Sequence, residues 1–166
     1  IKLGKENVDG LIFDLRNNGG GSLEDARAIS GLFINQGPIV QVKESGGRIN
    51  LLEDEDPSVV FSKPVVVMIN AFSASASEIV AGALQDYKRA VIVGGEHSHG
   101  KGTVQTVIDL RNFLQGAQAP KLDLGALKIT VQNFYRVNGV STQFNGITPD
   151  ITLPDPLDVL ETGERY

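Results

Sequence analysis

"KPVVVMINAFSASASEIVAGALQDYKRAVIVGG", residues 63–95, decides the fold. It opens on an apolar run (63–70) that reads as a buried strand and closes on another, "RAVIVGG" (89–95). Between them Ile79, Val80, Ala83, Leu84 and Tyr87 recur at helical spacing. Strand, helix and strand over this length predict a parallel, right-handed crossover unit. Three serines, Ser73, Ser75 and Ser77, alternate with alanines where the first strand meets the helix. Ser75-x-x-Glu78 fits a capping box, a purely structural use of the stretch. The same turn lies at the C-terminal edge of a parallel sheet, where open α/β folds set their sites. There a helix N-terminus also offers free N–H groups to developing negative charge. A serine nucleophile in that position still needs a base.

Working outward, "GLIFDL" (10–15) predicts a second buried strand, followed by the glycine-rich turn "RNNGGG" (16–21). Ser22 then opens an amphipathic helix, with Leu23, Ala26, Ile29, Leu32 and Phe33 on one face and Ser22 with Asp25 as a capping box. "GPIVQVK" (37–43) and "RINLL" (48–52) predict a hairpin, and the acidic "EDEDPS" (53–58) a solvated loop. From residue 103 the helices stop. "TVQTVIDL", "ALKITVQNFYRV" and "VSTQF" all have strand character, and the Asn-Gly in "VNGV" (137–140) is a hairpin signal. The fold expected is α/β, a partly parallel sheet with flanking helices and C-terminal antiparallel strands, in one domain over 1–166 with a loose tail at 155–166.

At 166 residues the chain is long enough for one domain with a real core. Its net charge is −5, and no basic face stands out, which argues against nucleic acid as a partner. It has no cysteine, which removes disulfides, thiolate metal sites and cysteine nucleophiles together. "IKLGKENVDG" (1–10) opens on isoleucine and reads as the end of a preceding segment, so the chain is expected to be part of a longer polypeptide.

"GGEHSHGKGTVQ" (94–105) offers the candidate bases. His97 and His99 are the only histidines; spaced i, i+2, they lack a third ligand for a metal, and a Ser-His-Asp arrangement is possible on paper. Gly95, Gly100 and Lys101 nearly spell a phosphate-binding loop, but Gly102 stands where serine or threonine should reach magnesium, and a strand follows instead of a helix. Lys101 remains, bracketed by glycines that let backbone close around its amine. Taken alone it would read as a solvated lysine in a turn, although Ser-Lys pairs are an established variant of the triad. No metal or cofactor is expected.

"FSASASEIVAGALQDYKRAVIVG" (72–94), "GKGTVQ" (100–105) and "QNFYRVNGVSTQFNGITPDI" (132–151), in that order, resemble the carboxyl-terminal processing peptidases, or tail-specific proteases. The similarity runs from about residue 8 to about 154. The resemblance implies a crotonase-like or Clp-protease-like core. It implies Ser75 as nucleophile, Lys101 as base and Gln105 as the residue orienting that lysine. It also implies an oxyanion hole from Ala76 and the Gly19–Gly21 turn, with Gly20 favoured; nothing else in the sequence selects Ser75 over Ser73 or Ser77. Two local departures accompany it: the loop before Lys101 is one residue longer than usual, and His99 stands where an aromatic is frequent. Family members carry a PDZ domain and an N-terminal region that these residues do not include. The implied substrates are proteins with apolar, flexible C-terminal tails, at the periplasmic side of a bacterial membrane. The alternative expectation is an inactive core that serves as a scaffold or as a homo-oligomer paired through an exposed sheet edge.

Overall fold

Val65, Val67 and Ile69 are buried while Val66 and Met68 between them are only partly so, the alternation of a strand with one face on the core. The computed structural model describes residue 6, residues 8–113 and residues 124–166, so the expected domain over 1–166 includes residues outside the described ones. A parallel sheet is formed, in spatial order, by β1 (Leu11–Asp14), β4 (Val65–Ile69), β5 (Ala90–Gly94) and the short β8 (Ile151–Thr152). Phe13, Val67 and Ile92 share one register row facing inward, and Ile12, Val66 and Val91 share the next, facing outward. A second, antiparallel sheet has the order β3 (Ile49–Asp54), β2 (Gly37–Glu44), β7 (Ala126–Tyr135), β6 (Thr103–Asp109).

Helices α1 (Leu23–Gly31) and α2 (Ala76–Asp86) pack on each other between the sheets. α2 touches β5 on one side and β2 on the other, and α1 touches β2 and β3. Because α2 meets neighbours all round, Ser77 through Leu84 are buried without a polar face, as a fully enclosed helix requires. Each large apolar side chain enclosed there, such as Ile79 or Leu84, contributes about 1.5–3 kcal/mol. Ser22 caps α1, its Oγ accepting from the N–H of Glu24 at 3.1 Å and of Asp25 at 3.3 Å. The outer face of the parallel sheet carries exposed Ile12, Val91 and Ile151. No helix among the described residues is long and apolar enough to cross a membrane.

One segment differs from expectation. "VSTQF" (140–144) forms no strand: only Ser141 pairs, by a single bridge to Tyr135. The polar side chains that give it a strand-like alternation are drawn inward instead, Thr142 Oγ1 to the Lys101 carbonyl at 3.2 Å and Gln143 Oε1 to the Gly102 N–H at 2.8 Å. In the C-terminal segment a short 3-10 helix (Pro156–Val159) forms, and Glu164 N–H bonds the His99 carbonyl at 2.9 Å.

Candidate active site

Three loops meet at the C-terminal ends of β1, β4 and β5: the glycine turn, the serine stretch and the segment leading to Lys101. All three follow parallel neighbours in one sheet, so the topology alone brings them together.

The serines divide by what their hydroxyls do. Ser73 is fully buried; its Oγ donates to the Leu15 carbonyl at 2.8 Å and accepts from Asn70 N–H at 2.9 Å. Ser77 is 3% exposed and donates to the Asn18 carbonyl at 3.0 Å. Together they stitch the end of β1 and the glycine turn to the serine stretch. Ser75 differs. It sits at φ 56°, ψ −115°, a strained left-handed geometry at a sharp strand-to-helix turn, and its side chain makes no cap bond. Only half of the expected capping box is made: Glu78 Oε2 accepts from Ser75 N–H at 2.7 Å, while Glu78 N–H bonds the Ser75 carbonyl rather than Oγ. The hydroxyl is left for the cleft.

That cleft, of about 260 Å³, is lined by Gly21, Leu23, Ser75, Ala76, Lys101, Thr103, Val104, Gln105 and Phe134. Four of the five expected site residues, Ser75, Ala76, Lys101 and Gln105, thus share one opening. The fifth, Gly20, is used otherwise. Its N–H donates to Asn18 Oδ1 at 2.9 Å, whereas the neighbouring Gly21 N–H has no acceptor among the described residues. Gly20 has φ +102°, and a Cβ there would lie 2.7 Å from the Ala74 carbonyl oxygen and 2.9 Å from both Ala76 N and Ser75 Cβ. Its lack of a side chain lets the turn close on the serine. Ala76 opens α2, where a helix leaves its first N–H groups without intrahelical partners. A second cleft, of about 300 Å³, adjoins through Gly21 and Ala76; Phe13, Leu15, Ala26, Ile29 and Val80 give it an apolar wall, and Asp14, Asn18, Ser22, Asp25 and Ser77 also line it.

Asn70 had no signal of its own in the sequence, and Glu78 signalled only its cap bond to Ser75. Asn70 accepts from the N–H of Asn17 at 3.0 Å and of Phe72 at 3.1 Å, and its amide donates to Asn17 Oδ1 at 3.0 Å. Glu78 is 1% exposed. Its Oε1 accepts from Ser98 Oγ at 2.6 Å and Gly100 N–H at 2.7 Å, and its Oε2 accepts from Lys101 N–H at 3.0 Å as well as from Ser75. Burial pushes the Glu78 carboxyl above the ordinary carboxylate range, against the opposing pull of these four donors. His99 N–H bonds the Ser73 carbonyl at 2.9 Å, so this histidine acts through its backbone in joining the two loops.

A family profile described as peptidase family S41 matches residues 1–153. The chain belongs to peptidase family S41. It is 48% identical over 99% of its length to the tail-specific protease of Haemophilus influenzae, of which it covers 23%. It is 40% identical over 94% of its length to the carboxy-terminal-processing protease of Bartonella bacilliformis, covering 33% of that protein. Among solved structures, the photosystem II D1 C-terminal processing protease superposes with a TM-score of 0.76 at 34% identity, over 92% of this chain and 36% of that one. The tricorn protease, at 20% identity and a TM-score of 0.53, shares the fold alone. The S41 chain described here therefore spans about a quarter to a third of the length of the curated relatives it matches. Both the resemblance read from the motifs and the mixed α/β architecture expected from it are borne out.

Proposed function

We propose that this chain is the catalytic core of a C-terminal processing serine protease working through Ser75 and Lys101. The observation that carries the reading is the sorting of the serines: Ser73 and Ser77 are committed to the fold, and Ser75, strained and without a cap bond, opens onto the cleft that Lys101 and Gln105 line.

In this mechanism neutral Lys101 takes the proton from Ser75 Oγ as the oxygen attacks a peptide carbonyl. The N–H groups of Ala76 and of the Gly19–Gly21 turn hold the oxyanion, each such donor being worth about 3–4 kcal/mol of the barrier. Within that turn the Gly21 N–H is the better placed, since that of Gly20 is engaged by Asn18. Lys101 then protonates the leaving amine, the acyl-enzyme forms on Ser75, and water hydrolyses it. Gln105 orients the amine. The apolar wall of the cleft beside Gly21 and Ala76 supports substrates that present apolar residues near the scissile bond, in keeping with apolar C-terminal tails. A site of action outside the cytoplasm, in bacteria the periplasm, follows from the motif resemblance; one relative, the C-terminal processing peptidase of Tetradesmus obliquus, is chloroplastic.

A second reading is favoured by one feature. Among the described residues β1 pairs with β4 alone, and the adjoining sheet face carries Ile12, 68% exposed, and Ile151, 51% exposed. A free edge beside an apolar face suits a scaffold or a self-pairing unit. Cleavage of an unfolded protein with an apolar C-terminus by the full-length polypeptide separates the two. The protease reading expects cleavage that Ser75→Ala and Lys101→Ala each abolish; equal cleavage by wild type and Ser75→Ala refutes it.

A further inference from the structure

We propose that Glu78 is a positioning residue of this site, whose buried carboxylate sets the separation of nucleophile and base by accepting from the backbone N–H of both Ser75 and Lys101. The proposal rests on the assignment of those two residues as nucleophile and base.

Ser75 and Lys101 belong to different loops, one entering α2 and the other leaving β5. A single oxygen, Glu78 Oε2, receives Ser75 N–H at 2.7 Å and Lys101 N–H at 3.0 Å. The two nitrogens therefore cannot be farther apart than those distances laid end to end, 5.7 Å. The other oxygen fixes the approach to Lys101, receiving Gly100 N–H at 2.7 Å and Ser98 Oγ at 2.6 Å. Ser98 Oγ in turn accepts from Ile147 N–H at 2.6 Å, which anchors the segment leading into β8. The remaining direct tie between the loops, His99 N–H to the Ser73 carbonyl, lies two residues from each reacting side chain and leaves their own peptide planes free. Glu78 grips those planes themselves. All four donors point at acceptor positions that an ionised carboxylate supplies in full.

A cap alone would need only the bond to Ser75. The three contacts to the Ser98–Lys101 segment go beyond what helix α2 requires, and they depend on side-chain length as much as on charge. Glutamine preserves the length: with its oxygen toward Ser75 and Lys101, its amide meets Ser98, whose hydroxyl can turn to accept, and only the Gly100 contact is lost. Aspartate preserves the charge but is one methylene too short to bridge the loops.

The test compares wild type, Glu78→Gln, Glu78→Asp and Ser75→Ala in the full-length polypeptide, with kcat and KM measured on an unfolded protein with an apolar C-terminus and folding checked by circular dichroism. Glu78→Gln is expected to lower kcat about tenfold, for one lost hydrogen bond. Glu78→Asp is expected to lower it by about 100-fold or more, for a misplaced pair. KM stays within about threefold for both, because the substrate-binding walls are untouched. A kcat for Glu78→Gln equal to wild type, an aspartate variant as active as the glutamine variant, or a loss carried by KM overturns the proposal. Should Glu78→Asp fail to fold, the glutamine variant decides alone: a lowered kcat at constant KM upholds the proposal, and wild-type kcat overturns it. Cleavage surviving Ser75→Ala would instead remove the assignment of the nucleophile, a failure distinct from any of these.

Discussion

A methyl group at Gly20 has nowhere to go. The nearest atom to its Cβ would be the Ala74 carbonyl oxygen at 2.7 Å, where ordinary contact begins at 3.4 Å, so the turn must retreat by about 0.7 Å. It would do so against the bonds from Ala74 N–H and Ser77 Oγ to the Asn18 carbonyl, both 3.0 Å. Two costs follow. Holding a side chain at φ +102° destabilises the fold by about 1–3 kcal/mol. That lowers the melting temperature by about 2–4 °C per kcal/mol in a domain of this size. The shift also carries the adjoining Gly21 N–H away from the cleft, and misplacement on the ångström scale costs about 100-fold in rate. Gly20→Ala is therefore expected to cut kcat about 100-fold with KM little altered, short of the 1,000-fold ceiling for deleting a whole oxyanion donor, roughly the upper value seen for such groups. Gly46→Ala, in the turn between β2 and β3, is the control: its Cβ meets nothing within 4 Å, and kcat should stay within about twofold of wild type. The assay is steady-state cleavage of an unfolded protein substrate by the full-length polypeptide, with melting curves in parallel. Equal losses in the two variants, or wild-type kcat in Gly20→Ala, would refute the close-approach argument.

Ser75→Gly should abolish cleavage while raising the unfolding free energy by about 1 kcal/mol, because glycine adopts φ 56° without strain; a urea titration that finds it less stable than wild type contradicts the strain assigned to this turn. Asp86 Oδ1 and Oδ2 receive Arg136 Nη2 at 2.7 Å and Nε at 3.2 Å, and the two side chains are 11% and 15% exposed. Asp86→Ala removes the guanidinium's ion-pair partner and leaves it nearly buried with only Gln85 Oε1 at 2.8 Å and the Gly82 carbonyl at 3.5 Å, and should cost about 3 kcal/mol in the same titration; a loss under about 1 kcal/mol would mean that these neutral acceptors or solvent already serve the charge. Because burial holds the Glu78 carboxyl above its ordinary range, the folded chain binds that proton more readily than the unfolded one. The stability this contributes is present below the ordinary carboxylate pKa and lost as pH rises through the folded value. Raising pH from about 4 toward neutrality should therefore lower wild-type stability relative to Glu78→Gln, and the opposite slope would show hydrogen bonding outweighing burial.

Most of the fold was legible because its elements carry local signals. The apolar runs at 10–15, 63–70 and 89–95 are the three long strands of the parallel sheet, and Ser22 caps α1 at the expected residue. β8 was not legible, since two residues carry no period and pair only because Asp150 and Leu153 backbone groups reach Ile92 and Gly94. "VSTQF" misled for the converse reason: alternation is a real strand signal, but here Thr142 and Gln143 serve the backbone at Lys101 and Gly102. At the site, residue types and order were readable, and individual partners were not. The Ser75–Glu78 bond lies within one turn of sequence, whereas the acceptors and donors that join Glu78 to Ser98, Gly100 and Lys101 are 20 to 23 residues away and follow from packing. Gly20 and Gly21 look alike as letters; which N–H is free depends on the Asn18 side chain.

The bonds between the glycine turn and the serine stretch also fix when the site can exist. Asn17 to Asn70, Leu15 to Ser73 and Asn18 to Ser77 close loops of 53 to 59 residues, and β1 reaches β4 only after α1, β2 and β3 have been made in between. Closing loops of that length is slow relative to forming helices and hairpins. During refolding the helical signal should therefore recover first, and the cleft shared by Ser75 and Lys101 should be assembled last.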